Sequence, residues 1–138
     1  MTNPGVDRQN LEVLIVEDDN LSARLVESVI KTMGVSKVEI AVDGSKALSK
    51  VKLKQQPYDL IISDLDMPIM NGLDFVKAIR ADYPSTTIVM LTAHTDTKAF
   101  NEAKRLGVEY FFMKPIAPPM LRMRLSAVLD VAAEKKSN

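Results

Sequence analysis

Reactive side chains follow four short apolar runs of the sequence, each at the point where the run ends. They are Glu17, Asp18 and Asp19 after the first run, Asp64 after the third, Thr92 after the fourth and Lys114 after the fifth. Carboxylates, hydroxyls and ammonium groups are side chains that bind hard cations and phosphoryl groups. If the runs are strands of one sheet, these distant residues meet in a single site.

Three carboxylates brought together would repel one another. Each like-charged pair at roughly 4 Å costs about 4 kcal/mol at an effective dielectric constant near 20. A divalent cation such as Mg²⁺, which prefers oxygen ligands, offsets that repulsion. Glu17, Asp18 and Asp64 carry three negative charges, which Mg²⁺ and Lys114 balance. Asp19 is predicted to lie outside the metal site, as a helix cap or a neighbour of the ligands.

A site of this kind can accept a phosphoryl group. The transfer needs an oxygen nucleophile in line with the phosphorus and positive charge near the equatorial oxygens. Asp64 can supply the nucleophile, and the metal, Lys114 and the hydroxyl of Thr92 can stabilise the oxygens. The product, an aspartyl phosphate, is a recognised covalent intermediate.

Five apolar runs that alternate with five segments of helical periodicity must position these residues. Strands are predicted at residues 11–16, 38–42, 60–63, 87–91 and 110–113. Helices are predicted at residues 20–33, from 43 to before Pro57, 72–83, 95–106 and 118–133. The first helix shows the stripe Leu21, Leu25, Val29 and Met33.

The strands are continuously apolar, which is typical of a parallel sheet covered by helices on both faces. Ligands of such sheets bind beyond the carboxyl ends of the strands. The sequence therefore predicts an α/β fold with one domain at residues 11–133, between tails at residues 1–10 and 134–138.

Composition excludes several other classes of site. The 138 residues carry 18 basic and 18 acidic side chains, no Cys and one His. The zero net charge gives no electrostatic reason for direct nucleic-acid binding, and thiol chemistry and multi-histidine metal sites are ruled out. No apolar run approaches the roughly 20 residues that cross a bilayer, and no signal peptide is recognisable. A cytoplasmic protein without membrane insertion is expected.

Four motifs in order resemble the successive signatures of the receiver domains of two-component response regulators. The motifs are VEDD at 16–19, SDLDMPIMNG at 63–72, LTA at 91–93 and MKP at 113–115. The resemblance extends over residues 11–131, nearly the whole chain. It implies a flavodoxin-like, doubly wound five-stranded sheet with strand order 2-1-3-4-5 and five helices.

The resemblance also assigns roles to residues. It makes Asp64 the phosphoacceptor, and it makes Glu17, Asp18 and the backbone carbonyl of Asp66 the other ligands of Mg²⁺ or Mn²⁺. It implies that Thr92 is the switch hydroxyl.

Two further roles come from the resemblance alone. Phe111 is the aromatic side chain whose rotamer changes when Thr92 moves, and the Lys114–Pro115 bond is cis. Asp66 and His94 lie two residues after the acceptor and two after the switch residue. We expect them to tune the lifetime of the phosphoryl group.

The expected function is a phosphorylation-dependent switch. A sensor histidine kinase or histidine phosphotransfer protein would donate the phosphoryl group, and the output would be contact with a protein effector. The protein would not be an enzyme beyond its own phosphoryl transfer and dephosphorylation. It would be a stand-alone regulator of the chemotaxis type or a receiver excised from a longer chain.

The last predicted helix has two apolar stripes where a surface helix needs one. Leu121, Leu125, Val128 and Ala132 form the first stripe, and Met120, Met123, Ala127 and Val131 form the second. The second stripe indicates either a wide core face or a partner surface. In the latter case a phosphorylation-linked dimer would use the face of the fourth helix, fifth strand and fifth helix.

Two alternatives remain at the level of sequence. Asp64-Leu65-Asp66 also fits the Asp-x-Asp motif of haloacid-dehalogenase-like phosphatases, although that motif follows their first strand and here it follows the third. The other alternative is a pseudo-receiver that binds partners without phosphorylation.

Overall fold

The computed structural model describes residues 7–93 and 96–137. Five strands form one parallel sheet in the order β2-β1-β3-β4-β5. The strands are β1 (Glu12–Val16), β2 (Lys37–Ala41), β3 (Leu60–Asp64), β4 (Thr87–Thr92) and β5 (Tyr110–Met113). The helices are α1 (Asn20–Thr32), α2 (Gly44–Leu53), α3 (Gly72–Arg80), α4 (Thr97–Arg105) and α5 (Pro118–Ser137). The predicted fold class and strand order are confirmed.

The sheet lies between two helical layers, each with its own apolar core. Helices α1 and α5 cover one face, where Ile15, Ile62 and Leu125 are among the buried side chains. Helices α2, α3 and α4 cover the other face, around Phe75 and Ile61. Each fully buried Leu, Ile or Phe contributes about 1.5–3 kcal/mol relative to an exposed one. Because the side chains of a strand alternate between faces, the continuous apolar runs supply both cores.

Polar side chains set where several helices begin. Asp43 accepts a hydrogen bond from the backbone N–H of Lys46 at 2.8 Å. Asn71 accepts one from Asp74 N–H at 2.9 Å and so caps α3. Gly34 and Gly107 follow α1 and α4 with φ of 99° and 83°, a conformation that favours glycine at the end of a helix.

The bounds of α3, α4 and α5 differ from the prediction by more than one residue. Helix α3 ends at Arg80 rather than residue 83, and α5 continues to Ser137 rather than ending near residue 133. Helix α4 begins at Thr97, and the predicted start at Thr95 lies outside the described residues. Helix ends are poorly specified by periodicity because the last turn has few side chains that pack on the core.

The apolar stripe predicted for α1 is partly wrong. Leu21 and Leu25 are 80% and 42% exposed. The buried side chains are Ala23, Val26, Val29 and Ile30. Leu21 lies in the first turn of α1, beyond the carboxyl ends of the strands, so little of the sheet lies beneath it.

Candidate phosphoacceptor and metal site

The functional side chains meet at the carboxyl edge of the sheet because the strands are parallel and in register. Val16 pairs with Ser63, Asp64 with Leu91, and Thr92 with Met113. Four strands therefore end at nearly the same level. Asp64 and Thr92 are the last residues of β3 and β4, and Glu17, Asp18 and Lys114 lie just after β1 and β5.

Three carboxylates come together at this edge. One oxygen each of Glu17, Asp18 and Asp64 lies within 4.8 Å of the others. Glu17 and Asp64 are buried, with 3% and 8% of their surface exposed, whereas Asp18 is exposed. This is the acidic cluster that the sequence predicts, and it could hold a metal ion.

Lys114 bridges the two buried carboxylates. Its ammonium nitrogen lies 2.9 Å from Oε1 of Glu17 and 3.0 Å from Oδ2 of Asp64. Burial lowers the pKa of Lys114, but the bonds to the two carboxylates outweigh it and raise that pKa above its ordinary value. The side chain is therefore a fixed positive charge beside the Asp64 oxygens. The Lys114–Pro115 peptide bond is cis, the geometry that the resemblance implied.

Glu17 has the environment of an incomplete cation site. Burial, reinforced by the neighbouring Asp64, raises the pKa of Glu17 to about 7 despite the opposing effect of Lys114. Its Oε2 is buried without a hydrogen-bond partner within residues 7–93 and 96–137. A buried polar atom without a partner is costly, and a divalent cation would satisfy it. The residues present therefore fit a hard cation held by oxygen ligands.

Asp19 lies beside this cluster rather than in it. It occupies the N-cap position of α1. Its Oδ2 accepts a hydrogen bond from the hydroxyl of Ser22 at 2.6 Å.

Gly72 controls the backbone at Asp64. A Cβ atom at position 72 would lie 2.2 Å from the carbonyl oxygen of Asp64, so a side chain cannot fit without displacing Asp64. The N–H of Gly72 donates to the carbonyl of Leu65 at 2.9 Å. The hydroxyl of the buried Ser63 donates to the Asp64 carbonyl at 2.9 Å. These contacts fix the turn that presents Asp64.

Thr92 and Phe111 line a common cavity of about 500 Å³ between the sheet and α4. Thr92 is 6% exposed at the end of β4, and Phe111 is half-buried on β5. The ring of Phe100 on α4 packs against Phe111, with 4.3 Å between the ring centroids. Phe100 was not predicted. It is the lone aromatic residue in an otherwise mostly polar segment, 97–105, and that was the signal that could have identified it.

The remaining predicted residues are placed only in part. Asp66 is exposed in the loop after β3. His94 lies outside the described residues.

The first predicted stripe of α5 is buried in the core. In the second stripe Met120 and Met123 are 42% and 63% exposed. These two side chains do not form a wide core face.

The chain was compared with known proteins. The sequence profile of the response regulator receiver domain matches residues 13–126. The chemotaxis protein CheY-3 of Vibrio cholerae is 31% identical over 124 residues, which cover 88% of this chain and 94% of that protein. The solved structure of the chemotaxis response regulator CheY4 of Vibrio cholerae has a TM-score of 0.76 at 37% identity and covers 86% of this chain and 98% of its own.

A longer protein also matches. The osmosensing histidine protein kinase SLN1 of Saccharomyces cerevisiae is 33% identical over 133 residues, which are 94% of this chain and 11% of the kinase. The chain thus spans a small part of this relative and nearly all of CheY-3. None of the described helices is both long enough and apolar enough to cross a membrane.

Proposed function

The chain belongs to the response regulator receiver domain family of two-component signalling, and from that premise we propose that Asp64 accepts a phosphoryl group from a phosphohistidine. The donor would be a sensor histidine kinase or a histidine phosphotransfer protein. The observation that carries this proposal is the Lys114 ammonium, which lies 3.0 Å from the Asp64 carboxylate and 2.9 Å from Glu17. Such a cation stabilises the negative charge that collects around the acceptor.

The step transfers phosphorus from nitrogen to oxygen. A carboxylate oxygen of Asp64 attacks the phosphorus, and the bond to the imidazole nitrogen of the donor breaks. That nitrogen keeps the electron pair and takes up a proton. Lys114 balances the added negative charge. Thr92, which is buried at the adjacent strand end, donates its hydroxyl proton in a hydrogen bond to a phosphoryl oxygen.

Glu17, Asp18, Asp64 and the backbone carbonyl of Asp66 would hold Mg²⁺ or Mn²⁺. Bound there, the cation supplies positive charge that stabilises the phosphoryl oxygens. Glu17 must be ionised to act as a ligand. Its pKa of about 7 places that ionisation near neutral pH.

The phosphoryl group would act as a switch. It adds a charge of about −1.5 to −2 at Asp64, which draws Thr92 toward it and lets Phe111 follow. The output is a protein contact, and the protein has no catalytic activity beyond its own phosphorylation and dephosphorylation. The surface for an effector or a phosphorylation-linked dimer is the face of α4, β5 and α5. On this face Met113, Met120 and Met123 are exposed by 49%, 42% and 63%.

Asp66 and His94 set how fast water removes the phosphoryl group from Asp64.

Incubation with acetyl phosphate, with and without Mg²⁺, tests the proposal. Intact mass should show one added phosphoryl group that depends on Mg²⁺ and is absent in Asp64→Asn. The decay of the signal gives the lifetime, which substitutions at Asp66 and His94 should change without loss of Mg²⁺ binding. Light scattering with and without beryllofluoride tests the dimer.

Two results would contradict the proposal. A wild-type protein that stays unmodified with saturating donor and Mg²⁺ would indicate a pseudo-receiver. Steady turnover of a phosphate ester would indicate a phosphatase.

A further inference from the structure

Helix α4 is held to the rest of the protein unequally at its two ends. At its C-terminal end, the guanidinium of Arg80 on α3 donates to the carbonyls of Leu106 at 2.6 Å and Gly107 at 3.0 Å. An ion pair between Lys77 and Glu102 adds a second link to α3. This end of α4 is therefore fixed.

The N-terminal half of α4 has much weaker packing. Of the residues Thr97–Arg105, Ala103 alone is buried. Beneath this half lies the cavity of about 500 Å³, whose lining includes Thr92, Met90 and Phe111. A helix with a firm end and an underpacked end can pivot about the firm one.

The main aromatic contact over this cavity is the pair Phe100–Phe111. The ring centroids are 4.3 Å apart and the planes are inclined by 43°. Phe100 remains 41% exposed, so it does not serve as an ordinary core residue. The ammonium of Lys104 lies 5.3 Å from the Phe100 ring centroid.

We propose that Phe100 is a positioning residue that holds Phe111 against α4 while Asp64 is unphosphorylated, and so opposes the movement of Thr92. This rests on the proposed function of Asp64 and Thr92. If Thr92 moves toward a phosphoryl group, space opens in the cavity that it shares with Phe111. Movement of Phe111 toward Thr92 would loosen its packing on Phe100, whose ring lines the same cavity 4.3 Å from that of Phe111.

The strength of the ring pair therefore contributes to the balance between the two states. Aromatic pairs are worth enough beyond simple burial to change an equilibrium constant by about two- to tenfold. A ligand that binds the active state more tightly must offset this free-energy difference between the two states. Loss of the Phe100 ring should thus make the protein easier to activate.

The test is the affinity for beryllofluoride in the presence of Mg²⁺, measured by NMR titration because the chain has no Trp. We expect Phe100→Ala to bind about two- to tenfold more tightly than wild type. Phe100→Tyr keeps the ring and should restore the wild-type value. Leu53→Ala removes a side chain that is 84% exposed on α2 and serves as the control, with no expected change.

A second measurement reports on Phe111 itself. In the unmodified protein, the side-chain couplings of labelled Phe111 should show one rotamer in wild type and averaging in Phe100→Ala. Phe100→Leu, which keeps apolar bulk without the ring, serves if the alanine variant does not fold.

The outcomes separate the two proposals. Beryllofluoride affinity that is unchanged or weaker in the ring-less variants, with normal binding by wild type, would overturn the role of Phe100 alone. A wild-type protein that binds no beryllofluoride would overturn the proposed function and this inference with it.

Discussion

At the residue scale, the site places two buried carboxylates around one ammonium group. Lys114 can neutralise Glu17 or Asp64 but not both, which leaves net negative charge at the floor of the site. Oε2 of Glu17, which has no hydrogen-bond partner in the part of the chain that the structure describes, is the atomic sign of that imbalance. A cation bound there would balance this charge, as the proposed function requires.

Gly72 allows a direct test of how closely the backbone of Asp64, the proposed phosphoacceptor, is held. Gly72→Ala places a methyl group where the Asp64 carbonyl lies 2.2 Å away. The backbone must shift, at a cost of about 1–3 kcal/mol in unfolding free energy. We also expect slower phosphorylation by acetyl phosphate, because the backbone shift displaces the Asp64 carboxylate from the other residues of the site.

Gly34→Ala separates the loss of stability from the loss of phosphorylation rate. It introduces the same methyl group at φ 99°, where the nearest atom, Cβ of Arg8, is 3.6 Å away. This variant should lose stability through backbone strain alone and keep the wild-type phosphorylation rate. Equal phosphorylation rates in both variants would argue against a positioning role for Gly72.

At the scale of elements, α4 depends on hydrogen bonds from its neighbour more than on burial. The guanidinium of Arg80 donates to four carbonyls, those of Tyr83, Thr86, Leu106 and Gly107. They lie just after α3, just before β4 and just after α4. One side chain therefore joins three elements on the side of the sheet opposite α1 and α5.

Arg80→Lys should weaken this junction. Lysine keeps the positive charge but cannot span the carbonyls with a planar fork. We expect a loss of about 2 kcal/mol in the free energy of unfolding, measured by urea denaturation and circular dichroism. Arg24→Lys is the control, because Arg24 is exposed and forms an ion pair with Glu27 at 3.0 Å on the same helix. A similar loss in both variants would show that the fork is unimportant.

At the scale of the whole molecule, the buried Glu17 links stability to pH. Without metal, its pKa of about 7 lies above the ordinary value of 4.5. Between these values the folded protein binds more protons than the unfolded chain. Its contribution is therefore present at low pH and is lost as pH rises through about 7.

We therefore expect the metal-free protein to lose free energy of unfolding between pH 5 and pH 7 relative to Glu17→Gln. The variant has no titrating proton at this position and retains His94, so the difference isolates Glu17. Urea denaturation in a chelator at several pH values measures it. Parallel pH profiles for the two proteins would disprove the assignment. Stabilisation by Mg²⁺ should increase over the same pH range, because the Glu17 carboxyl must lose its proton to bind the metal.

The alternation of elements and the edge that carries the site followed from the sequence alone. Apolar runs and helical periodicity depend on residues a few positions apart, and parallel strands necessarily end at one edge. The order of strands came from the resemblance to receiver domains, which the motifs that contain Glu17, Asp64 and Lys114 carry. These features needed no knowledge of side-chain packing.

Tertiary structure decided what depends on distant residues facing one another. The position of α1 against the sheet determined that Leu21, beyond the ends of the strands, is exposed and that Ala23 is buried, although both fit a helix. The pairing of Phe100 with Phe111 needs α4 and β5 to pack side by side. The pKa of Glu17 depends on how deeply its carboxyl is buried beside Asp64 and Lys114. Burial and contact across the fold are properties of the assembled layers, and no local pattern of residue types specifies them.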